Sequence, residues 1–231
     1  MQLKRGSTVF ERVKVVGGGR VGSAVKARLQ ERGVAVAPAG DDGVDLVLLC
    51  VPDAAIREVA SRVAPGPWLA HVSGATPLRA LDPHTRRFGV HPLQTFVRGR
   101  GAEQFDGAWA AVSFENPEAG ACARGFAALL GLQPFEISDD ARVLYHAGAA
   151  MASNYLVTLY RSASKLLEAA GAPPQALVPL MRRTIDNDFE LTGPIARGDW
   201  ATVEAHIAAI AGGAPELEEL YRALAKVTAA A

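Results

Sequence analysis

The stretch VKVVGGGRVGSAVKARL, residues 13–29, decides the fold of this chain. A run of β-branched residues enters a glycine-rich turn, and a helical pattern follows directly. Gly17, Gly19 and Gly22 fit the spacing G-x-G-x-x-G. In a strand–turn–helix unit these glycines permit a tight turn, close approach of the backbone to a pyrophosphate, and close packing of helix on strand. The stretch therefore predicts a dinucleotide site on the helix N-terminus, with Arg20 and Val21 beside the cofactor.

Continuous apolar runs predict the rest of the sheet. Strands that are buried on both faces lack the alternation of a half-exposed strand, so the runs indicate a mostly parallel sheet covered by helices. The predicted fold is an α/β Rossmann-type domain over residues 1–138, followed by an all-α domain over 139–231. The predicted strands are 13–16, 34–37, 45–51, 69–72, 88–91, 108–114 and 135–137. The predicted helices of the second domain are 141–170, 175–189, 200–211 and 215–229, with Gly212-Gly213 separating the last two.

The composition excludes several functional classes. Among 231 residues, Lys plus Arg and Asp plus Glu are both 24, so no net field favours nucleic acid or an anionic membrane. No apolar run approaches the ~20 residues that a membrane span requires. Cys50 and Cys122 lack the spacing of metal ligands, and buried thiols in a reducing compartment explain them. We therefore expect a cytoplasmic protein with no metal site.

The identity of the dinucleotide depends on the second strand. An NAD site usually has an acidic residue near the end of that strand, bonded to the ribose 2′-OH. Here the strand ends in Ala37-Pro38, and Asp41 and Asp42 follow a few residues late. The absence of a carboxylate favours NADP as the cofactor, with NAD still open, and Arg20 adds positive charge near the phosphates.

Polar residues follow three predicted strands, where open α/β sheets bind their ligands. Val51 and Pro52 end one strand, and Ser73 ends the next; these three are expected to contact the cofactor. The stretch HPLQTF then presents His91 as a candidate catalytic residue and Gln94 as a candidate substrate ligand.

Two further clusters lie in the helical half. At about 100° per residue, His146 and Ser153 fall near one helix face, with Asn154 beside it. The stretch ELTGPIARGDW, residues 190–200, interrupts the helical pattern and offers Thr192 and Arg197, whose paired donors match a carboxylate. Asp199 is interpreted as the N-cap of the next helix, as a residue that orients Arg197, or as both.

Together, the segments GGGRVG, VSGA, HPLQTF, YHAGAAMASNYL and LTGPIARGD resemble a family that pairs a Rossmann NAD(P)-binding domain with a helical domain of unknown function. The helical domain is similar to the C-terminal domain of 6-phosphogluconate dehydrogenase, and ketopantoate reductase and pyrroline-5-carboxylate reductase belong to the same superfamily. The resemblance implies a substrate-binding Asn, matched by Asn154, and dimerisation through the helical domain. The superfamily's Lys has no counterpart, since Lys165 is too far along the helix, so His146 or His91 would replace it.

The resulting hypothesis is an NAD(P)-dependent oxidoreductase of the ketopantoate-reductase type. It would transfer a hydride to a small keto or imino acid, with His146, Asn154 and His91 as catalytic residues and Gln94, Ser153, Thr192 and Arg197 binding substrate. A pyrroline-5-carboxylate-type imine reductase and a non-catalytic NADPH sensor remain open as alternatives. The expected assembly is a homodimer.

Overall fold

The computed structural model describes residues 9–38 and 43–230. The chain divides into two compact units between Ala150 and Met151. The sequence predicted a boundary after residue 138. The structure keeps the next helix with the first unit, because Arg142 on that helix is buried and donates hydrogen bonds to the Ser113 hydroxyl and the Ser73 carbonyl oxygen of that unit.

The first unit contains one seven-stranded sheet, which confirms the predicted α/β Rossmann-type fold. Neighbouring strands are parallel except for the fifth and sixth strands along the chain, which pair antiparallel. The strand order is β2-β1-β3-β4-β5-β6-β7, where β1 is Arg12–Val16, β2 Ala35–Val36, β3 Leu46–Leu49, β4 Trp68–His71, β5 Arg87–Leu93, β6 Trp109–Ser113 and β7 Gln133–Glu136.

Helices cover both faces of this sheet, as the continuous apolar strands predicted. In β3, Leu46 and Leu48 belong to one buried core, while Val47 and Leu49 belong to another. The connecting helices of the unit are α1 (Arg20–Glu31), α2 (Ile56–Ala60) and α3 (Pro117–Leu130), and α4 (Arg142–Ala150) follows β7.

One strand extends further than predicted. The stretch around His91 was expected to end a strand, but β5 continues to Leu93, and His91 pairs with Ala111 of β6. Pairing with β4 stops earlier, at Gly89. His91 therefore lies beyond the last paired residue of β4, on the carboxyl side of the parallel strands, while it still belongs to the sheet.

The second unit is helical, as predicted. A π-helical turn, Met151–Tyr155, precedes α5 (Leu156–Ala169), so the predicted helix 141–170 contains a local change of winding. The next helix, α6 (Leu177–Asp186), ends before the predicted residue 189, because Asp188 and Phe189 adopt positive φ angles. The predicted break between the last two helices is present, but it begins at Ala214 instead of Gly212, because the first of these helices continues to Gly213. The remaining helices are α7 (Trp200–Gly213) and α8 (Glu218–Ala230).

Candidate functional site

The glycine-rich loop between β1 and α1 requires two of its glycines sterically. Gly17 has a φ of 115°, and a Cβ there would lie 2.3 Å from the carbonyl oxygen of Cys50. A Cβ on Gly22 would lie 2.3 Å from the carbonyl oxygen of Gly17. Gly19 is the N-cap of α1, no side chain caps the helix, and a Cβ on Gly19 would meet nothing within 4 Å. The loop therefore brings an accessible helix N-terminus to the carboxyl edge of the sheet.

Arginines surround a small cavity beside this loop. The cavity has a volume of about 160 Å³ and is lined by Gly18, Gly19, Arg20 and Ser23 on one side and by residues 97–100 on the other. Arg98 and Arg100 thus join Arg20, and no carboxylate lines the cavity. In the described part of the chain, none of the three arginines forms an ion pair. Positive charge and free helix-terminal N–H groups together suit a phosphate.

The end of β3 forms the neighbouring part of the edge. Val51 is half-buried and Pro52 is exposed, in the turn before a short helix that begins at Asp53. Burial raises the pKa of Cys50 to about 12, so this thiol stays protonated. Asp41 and Asp42, on which the preference for NADP was argued, lie outside the described residues.

The turn after β4 is held by its own hydrogen bonds. The Ser73 hydroxyl oxygen accepts the backbone N–H of Thr76 at 2.9 Å, and the two hydroxyl groups lie 2.9 Å apart. Further along, the Asp139 carboxylate accepts the N–H of Leu78 at 2.8 Å. Ser73 is buried, so its hydroxyl shapes the turn that carries Gly74.

Arg142 supports this turn from α4. Its side chain is only 1% exposed; its guanidinium donates to the Ser113 hydroxyl over 2.5 Å and to the carbonyl oxygen of Ser73. A Cβ on Gly89 would lie 3.1 Å from the guanidinium, so the missing side chain makes room for it. Burial lowers the pKa of Arg142, while the carboxylate of Asp139, 4.0 Å away, has the opposite effect. The guanidinium nevertheless remains charged, because an arginine is not deprotonated in proteins.

His71 lies beneath the same turn and is fully buried. The N–H of Ser73 donates to its Nδ1 at 3.2 Å, which places the imidazole proton on Nε2. Burial lowers the pKa of His71 to about 3, and the charge of Arg142 and the neighbouring His91 add to this effect. The ring is therefore neutral in the physiological range.

His91 and His146 meet around Gly74. Their ring centroids are 5.7 Å apart at an interplanar angle of 80°. A Cβ on Gly74 would lie 2.5 Å from Cδ2 of His146 and 3.0 Å from Nε2 of His91. Two strands and a helix thus bring both predicted histidines to one point at the carboxyl edge of the sheet.

A tyrosine that sequence reasoning missed completes this cluster. The Tyr145 hydroxyl lies 2.6 Å from Nδ1 of His91, and the two rings meet edge to face at 5.5 Å. Burial lowers the pKa of His91 to about 4, with smaller lowering effects from His146 and Arg142 and an opposing effect from Asp53. Burial also raises the pKa of Tyr145 to about 12. Near pH 7 both groups are therefore neutral.

Other predicted site residues have local partners or lie in the second unit. The Gln94 side chain accepts the N–H of Thr95 at 2.8 Å. Asp199 caps α7 by accepting the N–H of Thr202 at 3.1 Å, as one of its two interpretations predicted. Asn154 and Ser153 lie in the π-helical turn, and Thr192 and Arg197 are exposed in the segment between α6 and α7.

Seven residues of this edge of the sheet were not predicted from the sequence. Each is a single charged or polar side chain in an ordinary sequence context, and only the fold shows what lies near it. They are His71, Arg98, Arg100, Ser113, Asp139, Arg142 and Tyr145.

Two further features are absent from the described ranges. No helix there combines the length and apolar character needed to cross a membrane. Within those ranges, no group of three or more His, Cys, Asp or Glu side chains is arranged to hold a metal ion.

Comparisons with known proteins agree with this architecture. A family model described as "Domain of unknown function (DUF2520)" matches residues 109–228, more than half of the chain. No curated protein matches the sequence.

Solved structures resemble the chain over nearly its whole length. A candidate NADP oxidoreductase from Bacteroides fragilis matches with a TM-score of 0.80 at 19% identity, covering 97% of this chain and 100% of that one. A Thermotoga maritima protein matches with a TM-score of 0.74 at 22% identity, covering 94% of this chain and 98% of that one. A reductive aminase from Aspergillus terreus, solved with NADPH and ethyl levulinate, matches with a TM-score of 0.65 at 15% identity, covering 94% of this chain and 92% of that one. These likenesses establish the shared fold.

Proposed function

The chain belongs to the DUF2520 family, and from that premise we propose that it is an NAD(P)-dependent oxidoreductase that reduces a small keto or imino acid. The observation that carries the proposal is the common location of two features. An accessible glycine-rich loop and a cluster of two histidines both lie at the carboxyl edge of one parallel sheet. In open α/β sheets this edge is where ligands bind.

The residues of the loop fit a dinucleotide. Gly17 and Gly22 occupy positions where any side chain would collide with backbone, and Gly19 leaves the start of α1 open. In the proposal, the N–H groups at the start of α1 bind the pyrophosphate, with Val21, Val51 and Pro52 as further cofactor contacts. The turn shaped by Ser73 would border the nicotinamide end.

The arginines favour a phosphorylated cofactor. Arg20, Arg98 and Arg100 bring three positive charges to a cavity without a carboxylate. Such a cavity is suited to NADP, although NAD also carries a pyrophosphate. We therefore propose NADP as the preferred cofactor and NAD as the weaker one.

The histidine cluster would act on the substrate. The cofactor, when bound, supplies a hydride to the carbonyl or imine carbon. The oxygen or nitrogen then needs a hydrogen-bond donor and a proton, and His91 and His146 are adjacent groups able to provide them. From the second unit we retain Asn154, Ser153, Thr192 and Arg197 as candidate substrate ligands, together with Gln94, on the strength of the sequence resemblance.

The assembly is part of the proposal. The second unit exposes large apolar side chains, among them Met151, Leu180 and Phe189. Apolar surface of this kind marks an interface more often than a free surface. We propose that a second copy of the chain covers it in a cytoplasmic homodimer.

Turnover tests this function directly. Purified protein with NADPH would be offered a panel of 2-oxo acids and cyclic imino acids, while absorbance of the reduced nicotinamide is followed. We expect oxidation with at least one member and its loss in a His91→Gln, His146→Gln double variant, with His84→Gln as the control. Undiminished turnover in the double variant would contradict the role of the histidines, and tight binding without turnover would favour a sensor.

A further inference from the structure

We propose that Tyr145 is a positioning residue that fixes His91 as a neutral imidazole with its proton on Nε2, beside Gly74. The purpose of this arrangement rests on the proposed reductase function. The tautomer itself belongs to the free protein, so it can be tested whether or not a cofactor binds.

The hydrogen bond between the two side chains has a preferred direction. Nδ1 of His91 and the Tyr145 hydroxyl oxygen are 2.6 Å apart, so one of them donates. The lone pair of a neutral imidazole nitrogen is a much stronger base than a phenol oxygen, so the phenol O–H is the donor. When Nδ1 accepts, the only proton of the neutral ring is on Nε2.

The surroundings keep both partners in the required protonation states. Burial lowers the pKa of His91 to about 4 and raises that of Tyr145 to about 12. His71 on β4 shows the same arrangement, because the N–H of Ser73 occupies its Nδ1. His71 is fully buried, however, whereas His91 is partly exposed and its Nε2 faces the side-chain-free position of Gly74.

This tautomer separates the roles of the two histidines. A neutral Nε2–H can donate a hydrogen bond to a carbonyl oxygen as negative charge develops there. It is a poor source of the final proton, because His91 holds no second proton near neutral pH. His91 would therefore polarise the acceptor, and His146 would be the candidate proton donor.

Removal of the hydroxyl should change the tautomer of the neutral His91 ring. In Tyr145→Phe no phenol O–H is left to donate to Nδ1, so a share of the neutral rings should carry the proton on Nδ1 instead of Nε2. The tautomer reports the donor more directly than the pKa of His91 does, because the phenol oxygen of the wild type can also accept a bond from the protonated ring. The other ionisable or charged groups that act on His91 are unchanged in the variant: His71, His146, Arg142 and Asp53.

Imidazole ¹⁵N–¹H correlation spectra of the full chain without nucleotide, recorded from pH 4 to 8, test the assignment. Tyr221→Phe is a matched control, since Tyr221 contacts Nδ1 of His206 at 2.8 Å in an exposed pair. We expect His91 of the wild type to show Nε2–H, and Tyr145→Phe, but not Tyr221→Phe, to show a measurable share of Nδ1–H in the neutral ring. A proton on Nδ1 in the wild type, or an unchanged Nε2–H tautomer in Tyr145→Phe, would overturn the proposal. The wild-type spectrum decides the tautomer even if the variant fails to fold.

Discussion

The sheet unit and the helical unit differ in how they bury their side chains. The sheet has an extensive core on each face, and in β3 and β4 every residue is buried. Among the described residues of the helical unit, the two cores contain three buried residues each, and α5 has no buried residue. Since apolar burial is the main stabilising term in folding, the sheet unit has its own source of stability. The helical unit exposes the apolar surface that a second copy would cover.

The largest loss of stability is expected from a substitution in the glycine-rich loop of the sheet unit. Gly17→Ala places a side chain against the carbonyl oxygen of Cys50 and forces an unfavourable positive φ. We expect the free energy of unfolding to fall by about 3 kcal/mol. Gly18→Ala is the control, because its Cβ meets nothing within 4 Å and should change stability little. Equal denaturation midpoints for the two variants would contradict the steric account.

The second largest loss of stability is expected when the buried guanidinium of Arg142 is removed. Arg142→Met leaves the Ser113 hydroxyl and the Ser73 carbonyl without their buried donor, which should destabilise the protein by about 2 kcal/mol. Arg222→Met is the control, since Arg222 is half exposed and pairs with Glu218 on the surface of α8. Exposed pairs contribute about 0–1 kcal/mol. Urea denaturation of both variants should show this difference, and equal losses would contradict the supporting role of Arg142.

The pH dependence of stability should also arise in the sheet unit. Folding lowers the pKa of His91 from an ordinary value of 6.5 to about 4, so the unfolded chain binds more protons between these values. Stability should therefore fall as pH decreases from 6.5 to 4, by about 1.4 kcal/mol per pH unit for this group. His91→Gln should flatten the slope without abolishing it, because His71 also has a lowered pKa. An unchanged slope in denaturation measured across this window would contradict the prediction.

These effects depend on residues that the sequence indicates to different degrees. The strands were predictable because burial on both faces leaves continuous apolar runs, and Gly17 and Gly22 because the turn tolerates no side chain. The antiparallel direction of β6 was not predictable, since an apolar run reads the same in either orientation. Arg142 and Tyr145 were missed because each resembles an ordinary polar residue of an amphipathic helix, and only the fold brings their partners near.

A smaller effect concerns the helical unit. Leu180 and Phe189 are 62% and 70% exposed, so replacing both with Asp should barely alter the stability of an isolated chain. If a second copy covers this surface, the dissociation constant of the dimer should be at least about tenfold higher in the double variant. This change equals a loss of about 1.4 kcal/mol or more in the free energy of dimerisation. Sedimentation across a dilution series measures this change, with Val9→Asp in the sheet unit as the control. A wild-type protein that is monomeric at all concentrations would contradict the proposed dimer.

The smallest loss of stability is expected from a substitution at the N-cap of α7. Asp199→Ala removes a cap that accepts the N–H of Thr202, and we expect a loss of about 1 kcal/mol. Asp199→Asn keeps a capping oxygen and should retain most of the stability. Thermal denaturation of both variants checks the prediction; equal losses would show that the carboxylate charge matters more than the cap.

A titration of the protein with NADPH and, separately, with NADH tests the proposed dinucleotide site of the sheet unit. Tryptophan emission and energy transfer to the reduced nicotinamide report binding, with Trp68, Trp109 and Trp200 as donors. We predict micromolar affinity for NADPH, weaker binding of NADH, and reduced affinity for NADPH in an Arg98→Ala, Arg100→Ala double variant. Absence of binding by either nucleotide would contradict the proposed dinucleotide site and would leave the glycine-rich loop as a structural turn.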